Sequence, residues 1–314
     1  MTWNVERRFV NANRMTFEVF CAGEGERGAQ SERPERLALC LHGFPEHAYS
    51  WRHQMPVLAK LGYRVWAPNL RGYGNSSRPP RMEDYAIEHL MEDVAELIDA
   101  SGCRETVLIG HDWGAVIAWL FAARKLRPLE RLIIMNVPHP ALLEATIRKN
   151  REQMARSWYV LFFQIPALPE WLMKLRGFDS IGEMFRRSSQ RPEAFTDEDV
   201  KVFAENVSHP GALTAMINYY RAAVRGGGAR RQRALGYPVI EVPTLMVWGE
   251  EDIALSKATT VGTEEYVSDL TLRYIPGASH WVQQEVPETV NEMLTAYLTH
   301  AQVPHAPGAQ GDVG

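Results

Sequence analysis

The 314-residue chain has 46% hydrophobic and 23% charged residues, which is typical of one large globular domain or of a core domain with an insertion. Its formal net charge is −4, and Lys and Arg are scattered among Asp and Glu, so the sequence predicts no nucleic-acid partner. The three cysteines, Cys21, Cys40 and Cys103, lack C-x-x-C spacing and predict neither a disulfide framework nor a thiolate metal site.

The first residues of the chain do not have the pattern of a signal peptide. Glu6, Arg7 and Arg8 lie where the apolar stretch of such a peptide would be. The sequence also contains no run of about 18 apolar residues, the length that a membrane-spanning helix requires. We therefore expect a cytoplasmic protein with no membrane partner.

Two alternating segments, Arg8–Asn13 and Thr16–Cys21, predict an antiparallel edge hairpin. Short apolar runs with β-branched residues, bounded by Gly, Pro or Asn, predict six interior strands. These are Leu37–Leu41, Tyr63–Ala67, Thr106–Gly110, Arg131–Asn136, Thr244–Trp248 and Leu272–Ile275. Helical patterns alternate with them, at Val57–Lys60, Ile87–Ala100 and Ala115–Lys125. This alternation predicts an α/β fold with a mostly parallel, eight-stranded sheet flanked by helices.

The rhythm of strands stops at Asn136 and resumes at Thr244. The residues between them are rich in Trp, Phe, Met and Arg with helical spacing, and a Pro-His-Pro segment and three consecutive glycines mark the ends. The sequence therefore predicts an inserted helical cap at residues 138–235, between two core segments at 1–137 and 236–300. The tail at 301–314 has three Gly and two Pro, and we expect it to be disordered.

A nucleophile-elbow pattern, G-x-D-x-G, ends the third interior strand at Gly110–Gly114. The middle residue of such an elbow, here Asp112, occupies a strained turn between a strand and a helix, and small neighbours let these two elements approach each other. The first turn of the following helix also favours an anionic side chain. The alternative is an aspartate that only caps a helix. The strand before it and the helix after it favour the nucleophile.

The segment His42–Glu46, with the sequence HGFPE, follows the first interior strand. There the backbone N–H of Phe44 can form one half of an oxyanion hole, and that of Trp113 can form the other half. Taken alone, the segment favours a plain turn after a strand with a purely structural role. Its value for function depends on its pairing with the elbow at Asp112.

A downstream acid and a histidine complete the pattern. Asp252 and His280 each follow a predicted strand, where the loops of an open parallel sheet gather. The chain order of nucleophile, acid and histidine is that of α/β-hydrolases. Glu250 and Glu251 are alternatives for the acid, and Asp252 is preferred because the apolar segment Ile253–Leu255 follows it. A lone histidine after a strand is more often structural, and its place in this order favours catalysis.

Together, these motifs resemble those of the α/β-hydrolase fold epoxide hydrolases. The resemblance rests on HGFPE, on GHDWGA around Asp112 and on G-x-x-H-W around His280, and the similar organisation covers roughly residues 37–299. It implies that two cap tyrosines bind the epoxide oxygen and act as the acid, and the matching positions are Tyr159 and Tyr220. Tyr219 is the alternative to Tyr220, and packing of the cap is the alternative role for Tyr159.

The resemblance implies hydrolysis of an epoxide to a vicinal diol through a covalent alkyl ester on Asp112. Water activated by His280, which Asp252 orients, would hydrolyse that ester. The scheme requires no cofactor and no metal, and the sequence has no zinc-protease, P-loop or dinucleotide motif.

An apolar, partly aromatic pocket predicts a small alkyl or aryl epoxide as the substrate. The residues of this predicted pocket are Phe44, Pro45, Trp113 and Trp281. The sequence does not decide between a monomer and a homodimer.

Two other functions use the same fold. A haloalkane or haloacid dehalogenase needs N–H donors for a departing halide or an Arg for a carboxylate. Phe44 stands where haloalkane dehalogenases usually have Asn, and Trp113 stands where haloacid-type relatives have Arg, so both residues favour the epoxide hydrolase. A ligand receptor without catalytic activity is disfavoured because Asp112, Asp252 and His280 are all present.

Overall fold

A computed structural model of the protein describes residues 5–23 and 36–309. Eight strands in these residues form one sheet. They are β1 (Glu6–Ala12), β2 (Met15–Ala22), β3 (Arg36–Leu41), β4 (Arg64–Pro68), β5 (Glu105–His111), β6 (Arg131–Met135), β7 (Thr244–Gly249) and β8 (Leu270–Ile275).

The strands are arranged in the order β1-β2-β4-β3-β5-β6-β7-β8. β1 pairs antiparallel with β2, and β2 pairs antiparallel with β4, whereas the other neighbours are parallel. Asn13 and Arg14 both have positive φ angles, as a two-residue hairpin turn between β1 and β2 requires. The predicted fold class, a mostly parallel eight-stranded sheet flanked by helices, is therefore confirmed.

Helices cover both faces of the sheet and fill the long connection between β6 and β7. The helices outside that connection are α1 (Met55–Lys60), α2 (Ile87–Ser101), α3 (Trp113–Ala123), α12 (Val282–Glu285) and α13 (Pro287–Leu298). Within it lie α4 (Pro140–Lys149), α5 (Arg151–Arg156), α6 (Trp158–Phe162), α7 (Leu168–Leu175), α8 (Asp179–Ser188), α9 (Asp197–Ser208), α10 (Ala212–Val224) and α11 (Gly228–Ala234).

The core is split into two apolar layers by the sheet. In β3, for example, Leu37, Leu39 and Leu41 face the layer that contains α2 and α3, and Ala38 and Cys40 face the layer that contains α1 and α13. Burial on both faces explains why the central strands are apolar at nearly every position. The parallel strands all end at the same edge, where their loops form the candidate site.

The tail differs from its prediction. Val303 and Ala306 are buried, and both belong to the apolar layer that contains α13. The side chain of Arg273 also donates a hydrogen bond of 3.1 Å to the carbonyl oxygen of Val303. The prediction of disorder is therefore wrong for residues 301–309, because two small apolar side chains suffice to dock this segment. Residues 310–314 lie outside the described residues.

Candidate active site

Asp112 occupies the turn between β5 and α3, at the carboxyl end of the parallel strands. Its φ angle is 48°, which is strained for a non-glycine residue and typical of a nucleophile elbow. Two glycines permit the close packing here. A Cβ atom on Gly114 would lie 2.1 Å from the carbonyl oxygen of Leu41, and one on Gly43 would lie 2.3 Å from Oδ1 of Asp112. These contacts are the physical reason for the glycines in both motifs.

Phe44 and Trp113 flank the carboxylate. The backbone N–H of Phe44 donates a hydrogen bond of 2.6 Å to Oδ1 of Asp112. An oxyanion hole requires such a donor, because charge develops on this oxygen when the carboxyl carbon is attacked. Trp113 is the first residue of α3, and its ring lies 5.1 Å from that of Tyr220. That the backbone N–H of Trp113 is the second donor of the oxyanion hole stays a prediction.

His280 lies between two carboxylates. Its Nδ1 is 2.7 Å from Oδ2 of Asp252, and its Nε2 is 3.5 Å from Oδ2 of Asp112. Asp252 is 1% exposed, and its Oδ1 accepts hydrogen bonds from the N–H groups of Ala254 and Leu255. The structure thus brings together the three residues that the sequence suggested as nucleophile, acid and histidine.

The alternative acids differ from Asp252 in their surroundings. The carboxylate of Glu250 pairs with the side chain of Lys257, and Glu251 is exposed. Asn136, which the sequence analysis treated only as the end of a strand, donates a hydrogen bond of 2.8 Å to Oδ2 of Asp252. Its own Oδ1 accepts from the N–H of Gly249 at 2.9 Å. Asn136 therefore fixes the acid relative to β7.

The charges of the site set the pKa values of these groups. Burial alone would raise the pKa of Asp112, but the hydrogen bond and the charge of His280 hold it below its ordinary value. Burial alone would lower the pKa of His280, but the charge of Asp252 and the interactions with Asp112 raise it well above its ordinary value. Both directions favour an imidazolium between two carboxylates in the resting site.

Tyr159 on α6 and Tyr220 on α10 face Asp112 from the connection between β6 and β7. Their rings lie 5.8 Å apart, nearly perpendicular to each other. Burial, with the charge of Asp112 as a further cause, raises the pKa of both tyrosines, so both hydroxyls stay protonated at neutral pH. The hydroxyl of Tyr219 instead donates a hydrogen bond of 2.7 Å to the carbonyl oxygen of Arg71.

Two cavities meet at these residues, one of about 770 Å³ and one of about 320 Å³. Asp112, Tyr159 and Tyr220 border both of them. Of the residues predicted for the pocket, Phe44 and Trp281 border the larger cavity and Trp113 borders the smaller one.

Pro45 is buried but borders neither of these two cavities, so the structure does not bear out its predicted place in the pocket. The chain turns back at this point, because the N–H of Glu46 donates a hydrogen bond of 3.0 Å to the carbonyl oxygen of Gly43. Phe44 is thereby presented to the cavity and Pro45 is not.

The sequence of this chain is similar to those of known proteins. A family model described as the α/β hydrolase fold matches residues 39–287. The AB hydrolase superfamily protein YfhM of Bacillus subtilis (strain 168) is 37% identical over 94% of this chain and 98% of its own length. Epoxide hydrolase 3 of Xenopus tropicalis is 39% identical over 86% of this chain and 73% of its own length. The chain belongs to the α/β-hydrolase fold epoxide hydrolase family.

A solved structure agrees with this assignment. A Bacillus megaterium epoxide hydrolase in complex with an inhibitor has a TM-score of 0.79 and 29% sequence identity to this family member. The similarity covers 93% of this chain and 100% of that one. The family predicted from the three motifs is therefore confirmed.

Two general features of this epoxide hydrolase family member complete the description of the site. In residues 5–23 and 36–309, no three or more His, Cys, Asp or Glu side chains are grouped so that they could hold a metal ion. None of the helices in the same part of the chain has both the length and the apolar composition needed to cross a membrane.

Helix α5 binds the loop that carries Asp252. The sequence patterns did not reveal this contact. The side chain of Gln153 is fully buried, donates a hydrogen bond of 2.9 Å to the carbonyl oxygen of Ala254 and accepts one of 2.8 Å from the N–H of Ser256. The guanidinium of Arg156 contacts the carbonyl oxygen of Asp252. These bonds link the loop of Asp252 to α5, and α6 with Tyr159 follows α5 directly.

We expect Gln153→Leu to slow hydrolysis of the ester intermediate about tenfold and to leave its formation unchanged, because Asp252 would lose its fixed orientation toward His280. Single-turnover kinetics with an epoxide separate these two steps. Gln54→Leu is the matched control, since this buried glutamine instead donates a hydrogen bond of 2.9 Å to the carbonyl oxygen of Gln283. Equal slowing of both steps, or of both variants, would assign Gln153 a purely structural role.

Proposed function

We propose that the protein is an epoxide hydrolase that converts a small apolar epoxide and water into a vicinal diol. One observation carries the proposal: the carboxylate of Asp112 and the side chains of Tyr159 and Tyr220 border the same two cavities. A bound epoxide can therefore meet the nucleophile from the sheet and the acid from the opposite side. We take residues 138–235 as the cap that supplies this acid.

The first step is the attack of Asp112 on an epoxide carbon. Its lowered pKa keeps the carboxylate ionised, so no base has to remove a proton first. A bond forms between a carboxylate oxygen and the carbon, and the carbon–oxygen bond of the ring breaks. Tyr159 and Tyr220 hydrogen-bond the departing oxygen, and one of them gives it a proton. The product of this step is an alkyl ester of Asp112.

The second step is hydrolysis of that ester. Alkylation removes the charge of Asp112, which is one of the two carboxylate charges that raise the pKa of His280. The imidazolium then passes its proton to the tyrosinate that the first step left, and neutral His280 accepts a proton from water. The water oxygen attacks the carboxyl carbon of Asp112 while the N–H of Phe44 stabilises the oxyanion. The bond between the carboxyl carbon and the diol oxygen breaks, and the diol leaves with the second proton of the attacking water. The carboxylate of Asp112 is restored, and His280 keeps the first proton of that water, as in the resting site.

The same nucleophile would serve a dehalogenase, so the two activities need a direct comparison. The two tyrosines favour the epoxide, because an alkoxide requires a proton donor and a halide does not. Purified protein should release diol from styrene oxide and no halide from a bromoalkane. Release of halide without diol would assign the protein to the dehalogenases. Tight binding of an epoxide without turnover would favour a ligand receptor.

The double variant Tyr159→Phe, Tyr220→Phe should lower the rate of ester formation about 10³-fold, because both donors to the departing oxygen are removed. Stopped-flow kinetics of the alkylation step measure this loss. Tyr63→Phe serves as the control, since the hydroxyl of Tyr63 contacts the side chain of Arg36 at the opposite edge of the sheet. A double variant with the wild-type rate would leave both active-site tyrosines as packing residues.

The three cysteines form no disulfide with one another, which supports a location in a reducing compartment such as the cytoplasm. We propose that the protein acts there on neutral epoxides, as a monomer or a homodimer. Sedimentation of the purified protein distinguishes these two states.

A further inference from the structure

We propose that the surface around the mouth of the larger cavity docks on an anionic lipid bilayer. This lipid-docking face comprises the exposed sides of α5, α6 and α7. The inference concerns a surface that the catalytic steps do not use. It rests on the proposed function in one respect only, namely that the compound entering the mouth from the bilayer is a lipophilic epoxide.

The lipid-docking face is unusually apolar. Twelve large hydrophobic side chains are exposed in residues 5–23 and 36–309, and half of them lie within 154–175. They are Met154, Trp158, Leu161, Ile165, Trp171 and Leu175. Met154 lies on α5, Trp158 and Leu161 lie on α6, and Ile165 follows α6. Trp171 and Leu175 are one turn apart on one side of α7. Soluble proteins rarely expose such a cluster unless it contacts something.

The cluster is continuous with the cavity. Trp158 is 63% exposed and also borders the larger cavity, together with Leu172 and Met173 of α7. The apolar sides of α6 and α7 therefore meet at the mouth. A lipophilic molecule on this surface would reach Asp112 through the same cavity, whose lining is mostly apolar and aromatic.

The charges around the cluster are mostly positive. Arg151, Lys174, Arg176 and Arg187 are exposed, and none of them forms an ion pair with another described residue. Arg176 and Arg187 border the cavity itself. In residues 138–235 as a whole, 15 Lys and Arg face 10 Asp and Glu, whereas the entire chain has a net charge of −4. The segment that carries the lipid-docking face is thus net positive, whereas the rest of the chain is net negative.

The positive charge of the lipid-docking face decides between a second copy of the chain and a bilayer as its partner. A second copy related by two-fold symmetry would place one positive surface against another. An anionic bilayer has the complementary charge, and exposed Trp residues with neighbouring Lys and Arg are typical of helices that lie in the membrane interface. Such binding requires no membrane-spanning helix. The sequence prediction of no membrane partner rested on the lack of an apolar span, which does not bear on a surface contact.

The test is co-sedimentation with vesicles of phosphatidylcholine alone and of phosphatidylcholine with phosphatidylglycerol. We expect binding to the anionic vesicles only, weakened by salt, and reduced about tenfold in the double variant Leu161→Ser, Trp171→Ser. Neither of these residues borders either of the two cavities at Asp112. Phe9→Ser is the matched control, because Phe9 is a 55% exposed aromatic residue on β1, and it should bind like the wild type.

Equal binding to both kinds of vesicle, or to neither, would overturn the proposal. So would a dimer in solution that the double variant dissociates, because the face would then join two copies of the chain. Turnover of styrene oxide in buffer is measured on the same samples. Turnover without vesicle binding rejects the lipid-docking face and leaves the proposed function intact, whereas binding without turnover rejects the proposed function alone.

Discussion

The variant Asp112→Ala is expected to form no measurable diol, with kcat lowered on the order of 10⁴-fold or more. The alanine has no oxygen that could attack the epoxide, and no other carboxylate replaces it. Asp252 is the nearest candidate, but it is held by His280, Asn136 and two backbone N–H groups. Steady-state assays with styrene oxide measure the loss.

The same variant provides a second observation. Incubation with the epoxide should add no mass to the peptide around residue 112, because the ester cannot form. Asp99→Ala is the control, since Asp99 is an exposed aspartate that pairs with Arg127 on the protein surface. If Asp112→Ala kept its activity, or if an adduct appeared on another carboxylate, Asp112 would not be the nucleophile.

The fold could be predicted from the sequence because strands buried on both faces have simple patterns. β3, β5, β6 and β7 are continuous apolar runs, and their predicted and observed bounds agree within one or two residues. β8 begins two residues before its predicted start, because five of its six residues are only half-buried and no change in burial marks where the strand begins. The tail was missed for a related reason: Val303 and Ala306 are too few to form a pattern.

The candidate site could be predicted only in part. Asp112, Asp252 and His280 each follow a strand, and their chain order carries information that one sequence contains. The residues that hold these three side chains in place cannot be recognised from the sequence in this way. Asn136 is separated from Asp252 by 116 positions, and Gln153 lies about a hundred positions from the loop it binds. Contacts of this kind depend on how the helices pack, so one sequence by itself gives no signal for them.

The pKa values of the resting site create a requirement for the second half of the reaction. The carboxylates of Asp252 and Asp112 raise the pKa of His280 and so favour its protonated form, and a protonated imidazole cannot accept a proton from water. Formation of the ester neutralises Asp112, and the pKa of His280 then falls. Asp252 still orients the ring through Nδ1. In the proposed mechanism, His280 therefore becomes a base only after the intermediate exists.

The variant His280→Gln should consequently form the ester at close to the wild-type rate and hydrolyse it on the order of 10⁴-fold more slowly. Mass spectrometry should find the peptide around Asp112 heavier by one epoxide. In the wild type, ester hydrolysis should slow as the pH falls, because His280 gains a proton, whereas ester formation should stay constant until Asp112 is protonated below its ordinary pKa. His89→Gln, at an exposed position of α2, is the control. Rapid hydrolysis in His280→Gln would mean that another group activates the water, and parallel pH profiles for both steps would mean that the pKa of His280 does not change with the charge of Asp112.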